Sequence, residues 1–124
     1  MTLKKVFLLC IILAATLKVN SQNVDTLQKA KEDSLRITAQ LEILEARKKT
    51  GDKKSISYAY YNTGLLYSEC KDYATALEYY MLSLIICREL NDDGGIGNCY
   101  QSMADAHRKL NHYAEGVRYY SDAI

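Results

Sequence analysis

Tryptophan and proline are both missing from the 124 residues, and phenylalanine occurs once. Without proline, nothing in the chain forces a kink or a stop, so long uninterrupted helices are allowed. Neither sign of charge dominates: 16 basic side chains meet 15 acidic ones, for a net +1. That balance argues against a surface built for nucleic acid or an anionic membrane. No run of like charge is long enough for a disordered acidic or basic tail. The four cysteines include no CxxC, no CxxCH and no paired Cys/His spacing, so zinc and haem have no ligand set. A nucleophile elbow, a phosphate-cradling glycine loop and a pair of carboxylates flanking a cleft are all absent too. No catalytic residue, no metal ligand and no cofactor is therefore expected. What the chain has in quantity is tyrosine, eleven of them.

Residues 1–21 stand apart. "MTLKK" is a positive start, "VFLLCIILAATL" (Val6 to Leu17) is a mostly apolar run, and "KVNSQN" is a polar exit. These are the three parts of a secretory signal peptide. A membrane span needs roughly 20 apolar residues, more than this run holds. Ser21, with Val19 two positions before it, places the expected cleavage ahead of Gln22. Cys10 sits within the apolar run behind Leu9, where lipidation requires a small residue, so it reads as one more apolar side chain. Removing residues 1–21 takes Lys4, Lys5 and Lys18, leaving 13 basic and 15 acidic side chains, a net −2. The expected product is exported, periplasmic or otherwise extracytoplasmic.

The chain then repeats itself. "DYATALEYY" (Asp72 to Tyr80) returns as "HYAEGVRYY" (His112 to Tyr120). The shift that carries Asp72 to His112 also sets Tyr60 on Tyr100, Gly64 on Ala104, Tyr67 on His107 and Tyr73 on Tyr113. It sets Ala74 on Ala114, Ala76 on Gly116, Leu77 on Val117, Tyr79 on Tyr119 and Ser83 on Ala123. Large meets large and small meets small.

Each unit reads as two helices. In "SISYAYYNTGLLYSE", Ile56, Tyr60, Gly64 and Tyr67 share one face of a 3.6-residue helix. "CKDY" breaks it. "ATALEYYMLSLIICREL" comes next, with Leu77, Tyr80, Leu84 and Cys87 on one stripe. "NDDGG" (Asn91 to Gly95) is the expected turn between units. "IGNCYQSMADAHRKL", an "NH" turn and "YAEGVRYYSDAI" make the second unit. Glycine inside a helix costs roughly 1 kcal/mol against alanine, so Gly64 and Gly116 mark places where another helix presses close. Upstream, Thr26 to Lys49 carries Leu27, Ala30, Ser34, Ile37, Leu41 and Leu44 at alternating three and four spacings, an amphipathic helix. Running the same shift backwards sets Leu77 on Ile37, Ser83 on Ile43 and Leu84 on Leu44. The helix thus takes the second-helix place of a degenerate leading repeat. "TGDKK" (Thr50 to Lys54) is its turn, with Asp52 an N-cap for the next helix.

At these residues the chain resembles the tetratricopeptide repeat family. Counting from Ser57 and Gly97, the family pattern meets Tyr60 and Tyr100 at position 4, Gly64 and Ala104 at 8, and Tyr67 and His107 at 11. It meets Ala76 and Gly116 at 20, Tyr80 and Tyr120 at 24, and Ser83 and Ala123 at 27. Small residues at 8, 20 and 27 let helices cross closely while bulky ones fill the gaps. The 40-residue period resembles the longer-period subclass rather than the usual 34. Departures are His107 at position 11, Thr63 and Met103 in place of leucine at 7, and the missing proline at 32. The resemblance implies an all-α fold of antiparallel helix hairpins stacked as an α-solenoid. Residues 22–54 would form a leading helix and turn, 55–94 the first repeat and 95–124 a second, cut short.

The resemblance further implies a protein or peptide partner held on an inner face formed by the first helix of each repeat. The corresponding residues are Tyr58, Tyr61, Asn62, Leu65, Ser68 and Glu69, then Asn98, Gln101, Ser102, Asp105, Arg108 and Lys109. Those expected to carry binding are Tyr58, Tyr61, Asn62, Leu65, Gln101, Ser102, Asp105 and Arg108. A clamp for a partner's terminal carboxylate is poorly matched, since Ser68 and Glu69 stand where Arg108 and Lys109 do in the second unit. His107 and His112 read as a core filler and a turn residue rather than a metal pair. "NDDGG" lacks the alternating ligands and distal glutamate of a calcium loop. Cys87 and Cys99 flank the expected turn at similar heights, within reach of a disulfide if their Cα atoms come within about 7 Å; two buried thiols are the favoured alternative. An array needs about three repeats, and Ile124 falls in mid-helix. The expectation is therefore the N-terminal piece of a longer protein or a truncated product. A partner-binding scaffold is the first functional expectation. The second is the sensory segment of a membrane histidine kinase or transcriptional regulator whose output domain lies beyond residue 124.

Overall fold

The computed structural model describes residues 2–110, together with Arg118 and Asp122. Four helices follow one another: α1 (Leu3–Thr50), α2 (Lys53–Glu69), α3 (Tyr73–Glu89) and α4 (Asp93–Lys109). The chain divides into two compact units, Met1–Leu35 and Arg36–Ile124. In the first, α1 runs without a break through the Ser21–Gln22 bond, and the described side chains up to Glu32 are exposed. Phe7 and Leu13 are 69% and 62% exposed. Among the described residues, no helix is long and apolar enough to cross a membrane.

The second unit is built on three nearly identical starts. Asp52, Asp72 and Asp92, evenly spaced along the chain, are the N-caps of α2, α3 and α4, and each of these helices is 17 residues long. Each carboxylate accepts a backbone N–H of the first turn: Lys54 at 3.2 Å, Thr75 at 3.2 Å and Gly95 at 3.1 Å. The ends match as well. Lys71 N–H donates to Ser68 C=O and Asp72 N–H to Tyr67 C=O; Asn91 does the same to Arg88 and Asp92 to Cys87. That is the paired hydrogen bonding of a Schellman termination. Lys71 and Asn91 accordingly adopt left-handed backbone at φ 64 and 52, and Gly51 ends α1 at φ 72.

The expected "CKDY" break is therefore found, and Asp52 caps as expected. The "NDDGG" turn is corrected: the link is Leu90–Asp92, and Gly94 and Gly95 lie inside α4. Asp92 captures the Gly95 N–H and starts the helix there. Gly95 is needed for space, because a Cβ would sit 2.6 Å from Cys87 Sγ and 2.8 Å from Asp92 Oδ2. The "TGDKK" turn likewise shortens to Gly51–Asp52, with Lys53 and Lys54 already helical.

α2 and α3 lie antiparallel. Lys53 of the first meets Glu89 of the second at 2.6 Å, and the Ser83 hydroxyl donates to Ser57 C=O at 2.8 Å. α4 returns antiparallel to α3: Arg88 donates to the Tyr100 hydroxyl at one end, and Lys109 lies 5.8 Å from the Tyr73 ring centroid at the other. The core is Ala76, Tyr80, Leu84, Cys99, Tyr100 and Met103. Tyr80 is 1% exposed, and it fits because Gly64 faces it; a Cβ on Gly64 would lie 2.6 Å from Tyr80 Cε1. Gly64, Ala76, Ser83 and Ala104 are buried as the size pattern requires. Thr63 and Met103, the departures at position 7, are each 1% exposed, and the Thr63 hydroxyl bonds Ala59 C=O at 2.8 Å.

Tyrosines fill the next layer. Tyr67 stacks on Tyr79 at 5.4 Å and 8°, and Tyr60 meets Tyr79 at 6.3 Å. The last part of α1 runs antiparallel to α2, with Arg36 on Glu69 at 2.7 Å and Arg47 on Ser55. Of the expected stripe only its end is covered: Leu44 is buried and Ile37 and Leu41 half-buried, while Leu27, Ala30 and Ser34 are exposed. Ile43, expected in the place of buried Ser83, is 48% exposed. The leading helix thus copies a repeat's second helix only where α2 is there to pack on. His112, Tyr113, Ala114, Gly116, Val117, Tyr119, Tyr120 and Ala123 of the second unit lie outside the described residues.

Candidate functional site

The α2 residues expected to carry binding line two depressions, one after the other along the helix. Tyr58 is 64% exposed and stands at the edge of a cavity of about 170 Å³ between α2, α3 and the start of α4. Lys54, Ser57, Tyr58 and Tyr61 line it from α2, Ser83 and Cys87 from α3, and Asp92, Gly95, Asn98 and Cys99 from the cap and first turns of α4. Asn62 and Leu65, further along the same helix, line a shallow groove shared with Arg36, Ala39, Gln40 and Ile43 of α1. That groove is bridged at its end by the Arg36–Glu69 ion pair.

Tyr61 belongs to both the cavity and the core. Its ring lies 5.6 Å from that of Tyr80, and its hydroxyl hydrogen-bonds the Ser102 hydroxyl at 2.9 Å. This pair ties α2 to α4, so Tyr61 and Ser102 set the spacing of the two first helices. Asp105 and Arg108 pair with each other at 2.8 Å along α4, both largely exposed, and Gln101 is in solvent. Exposed pairs of this kind contribute at most about 1 kcal/mol.

The walls of the cavity are chemically quiet. The Ser57 hydroxyl donates to Lys54 C=O at 2.9 Å, that of Ser83 to Ser57 C=O, and Asp92 is held by Gly95 N–H. Cys87 and Cys99 are free thiols, 3% and 1% exposed. Burial pushes the Cys99 thiol up to about 11, so it stays protonated at neutral pH. Burial likewise pushes the Tyr80 hydroxyl, flanked by Ser68 and Ser102, up to about 12. These groups are inert fillers rather than nucleophiles. Among the described residues no set of three His, Cys, Asp or Glu side chains comes together as a metal site. His107 is half-buried on α4, and His112 lies outside the described residues.

Sequence reasoning missed Lys54, Ser57, Gly95 and the thiols as a common lining. The small residues Ser57, Ser83 and Gly95 leave a gap beside Cys87 that no large side chain fills, and only the packing of three helices brings them together. Neither the curated proteins nor the solved structures compared with the chain gave a match. The sequence model of the tetratricopeptide repeat does match, over residues 55–124, which takes in α3, α4 and nearly all of α2. With 17-residue helices paired antiparallel about small residues at the expected heights, the chain belongs to the tetratricopeptide repeat family.

Proposed function

We propose that this chain is an exported, non-catalytic scaffold that binds a protein or peptide partner on the faces of α2 and α4. Repeats of this family are in general protein–protein interaction modules. The observation that carries the reading is Tyr58, a large ring left 64% exposed at the lip of a cavity. Tyrosine offers rigid amphipathic area that loses little entropy on binding, which is why it is enriched where interfaces hold most strongly. The even spacing of the N-caps at Asp52, Asp72 and Asp92 supports placing the chain in the long-period subclass. Export rests on the charged start, apolar run and polar exit of residues 1–21.

A photo-crosslinking amino acid at Tyr58, compared with one at exposed Ala74 on α3, tests the binding face. Crosslinks to a partner from position 58 and not from 74 are expected. Equal labelling from both positions, or none from either, would refute the assignment. Sequencing the mature protein's N-terminus tests export, with Gln22 expected first.

A further inference from the structure

We propose that the cavity between α2, α3 and α4 receives one aromatic side chain of a partner peptide, with an adjacent carboxylate of that peptide on Lys54. The inference deepens the scaffold reading and rests on it. The cavity's volume of about 170 Å³ is the first reason, since about 150 Å³ is room enough for a benzene ring. One ring fits and two do not.

The second reason is which polar groups are already occupied. Inside, the hydroxyls of Ser57 and Ser83 donate to backbone carbonyls, and Asp92 accepts from Gly95 N–H. The thiols of Cys87 and Cys99 are buried, and that of Cys99 is held protonated. The hydroxyl hydrogens inside are thus committed to carbonyls, and a guest that brings hydrogen-bond acceptors into the interior loses water without gaining a hydroxyl donor there, which is unfavourable. An apolar ring has no hydrogen bond to forfeit and gains contact with Tyr58 and Tyr61.

The rim differs. Lys54 and Asn98 are exposed there. Lys53 is engaged by Glu89 at 2.6 Å, whereas Lys54 has no carboxylate partner among the described residues. Asp92 is half-buried and caps the N-terminus of α4, whose partial positive charge offsets part of its own. The exposed charge at the lip is the Lys54 cation, and the group complementary to it is a carboxylate. Asn98, with a donor and an acceptor, suits a peptide backbone passing over the opening. A ring and a carboxylate separated by one peptide bond is the chemistry of Phe-Glu or Phe-Asp.

The probe is the capped peptide acetyl-Gly-Phe-Glu-Gly-amide carrying 4-fluorophenylalanine, titrated with the full chain and read by fluorine NMR. Saturable binding with a shifted fluorine line is expected. An unfluorinated version of that peptide, titrated into isotope-labelled chain and read by amide NMR, should shift the Gly95 and Asn98 amides. Exchanging its Phe for Ala should weaken binding at least about tenfold, because one buried ring supplies that much. Exchanging its Glu for Lys should weaken it as well, and more so at low salt. Ser57→Leu fills the cavity and should abolish binding. Lys54→Glu, on an exposed side chain that leaves the core intact, should reverse the Glu/Lys preference even if Ser57→Leu misfolds. Indifference to Phe or to Lys54 would overturn the proposal. So would 3-phenylpropionate binding as tightly as the peptide, which would make the cavity a small-molecule site. If the crosslinked partner of Tyr58 is retained by both variants, the scaffold stands and the cavity assignment falls; if the parent chain captures no partner, the scaffold itself falls.

Discussion

Replacing Gly64 by alanine puts the close crossing of α2 and α3 under direct test. The new Cβ would lie 2.6 and 2.7 Å from Tyr80 Cε1 and Cδ1, and 3.2 Å from Ala76 C=O. Carbon atoms rest about 3.5–4.0 Å apart, so the ring must retreat by about 1 Å. It has nowhere to go: Tyr80 is 1% exposed and backed by Tyr61 at 5.6 Å. Overpacking of this sort typically costs about 1–3 kcal/mol. Alanine recovers up to about 1 kcal/mol through its better helix propensity. A net loss of about 1–2 kcal/mol is expected, a fall in Tm of roughly 5–15 °C for a domain of this size. Gly64→Leu would go further and unfold the protein. The control is Gly97→Ala, also within a helix, whose added Cβ meets nothing within 4 Å. With propensity alone at work, that change should stabilise by about 0.5–1 kcal/mol. Urea denaturation followed by circular dichroism measures both. If Gly64→Ala proves as stable as the parent while Gly97→Ala behaves as stated, α2 and α3 do not cross closely at Gly64, and the reasoning fails.

Alkali supplies a second prediction. Burial raises Tyr80 from an ordinary 10.0 to about 12, and Cys99 from 9.0 to about 11. The folded chain keeps these protons when the unfolded chain has released them. The stability involved is therefore complete below about pH 9 and lost as pH rises towards about 12. Urea midpoints should fall across that window, and Tyr80→Phe should make the fall shallower; an identical slope would count against the buried hydroxyl. A third concerns Lys71, which sits at φ 64. Left-handed backbone costs a side-chain-bearing residue about 1–2 kcal/mol. Lys71→Gly should thus raise stability by up to about 1 kcal/mol, whereas Asn91→Gly should change it less, asparagine tolerating that region. Equal effects at the two positions would contradict the assignment.

The helical architecture was legible because it is written in side-chain size. Gly64, Ala76, Ser83 and Ala104 are small for a reason local to each crossing, and those reasons recur with the repeat. The "NDDGG" boundary was misjudged because two glycines look like a turn. Gly95 is there to clear Cys87, a tertiary demand that no local pattern reveals. The leading helix was half right: spacing alone marks Leu27 and Leu44 as equivalent, although only Leu44 is buried. Family position set Tyr58, Tyr61, Asn62 and Leu65 on a common face; that the first two line the cavity and the last two the groove beside α1 depends on which helices flank α2 at each height, and no spacing shows that. The cavity escaped notice because it is defined by what is missing between three helices, and a chain read in one direction does not display its gaps.

The two helix-to-helix links around α3, one ending at Asp72 and the other at Asp92, are built with the same hydrogen bonds. To the backbone, the joint inside a repeat and the joint between repeats are indistinguishable. Only the side chains tell an inner rod from an outer one. Duplicating a single helix with its cap would keep every bend yet present the wrong surface at each step. Growth by gene duplication is therefore confined to whole hairpins, and the length of such a protein is counted in pairs of rods.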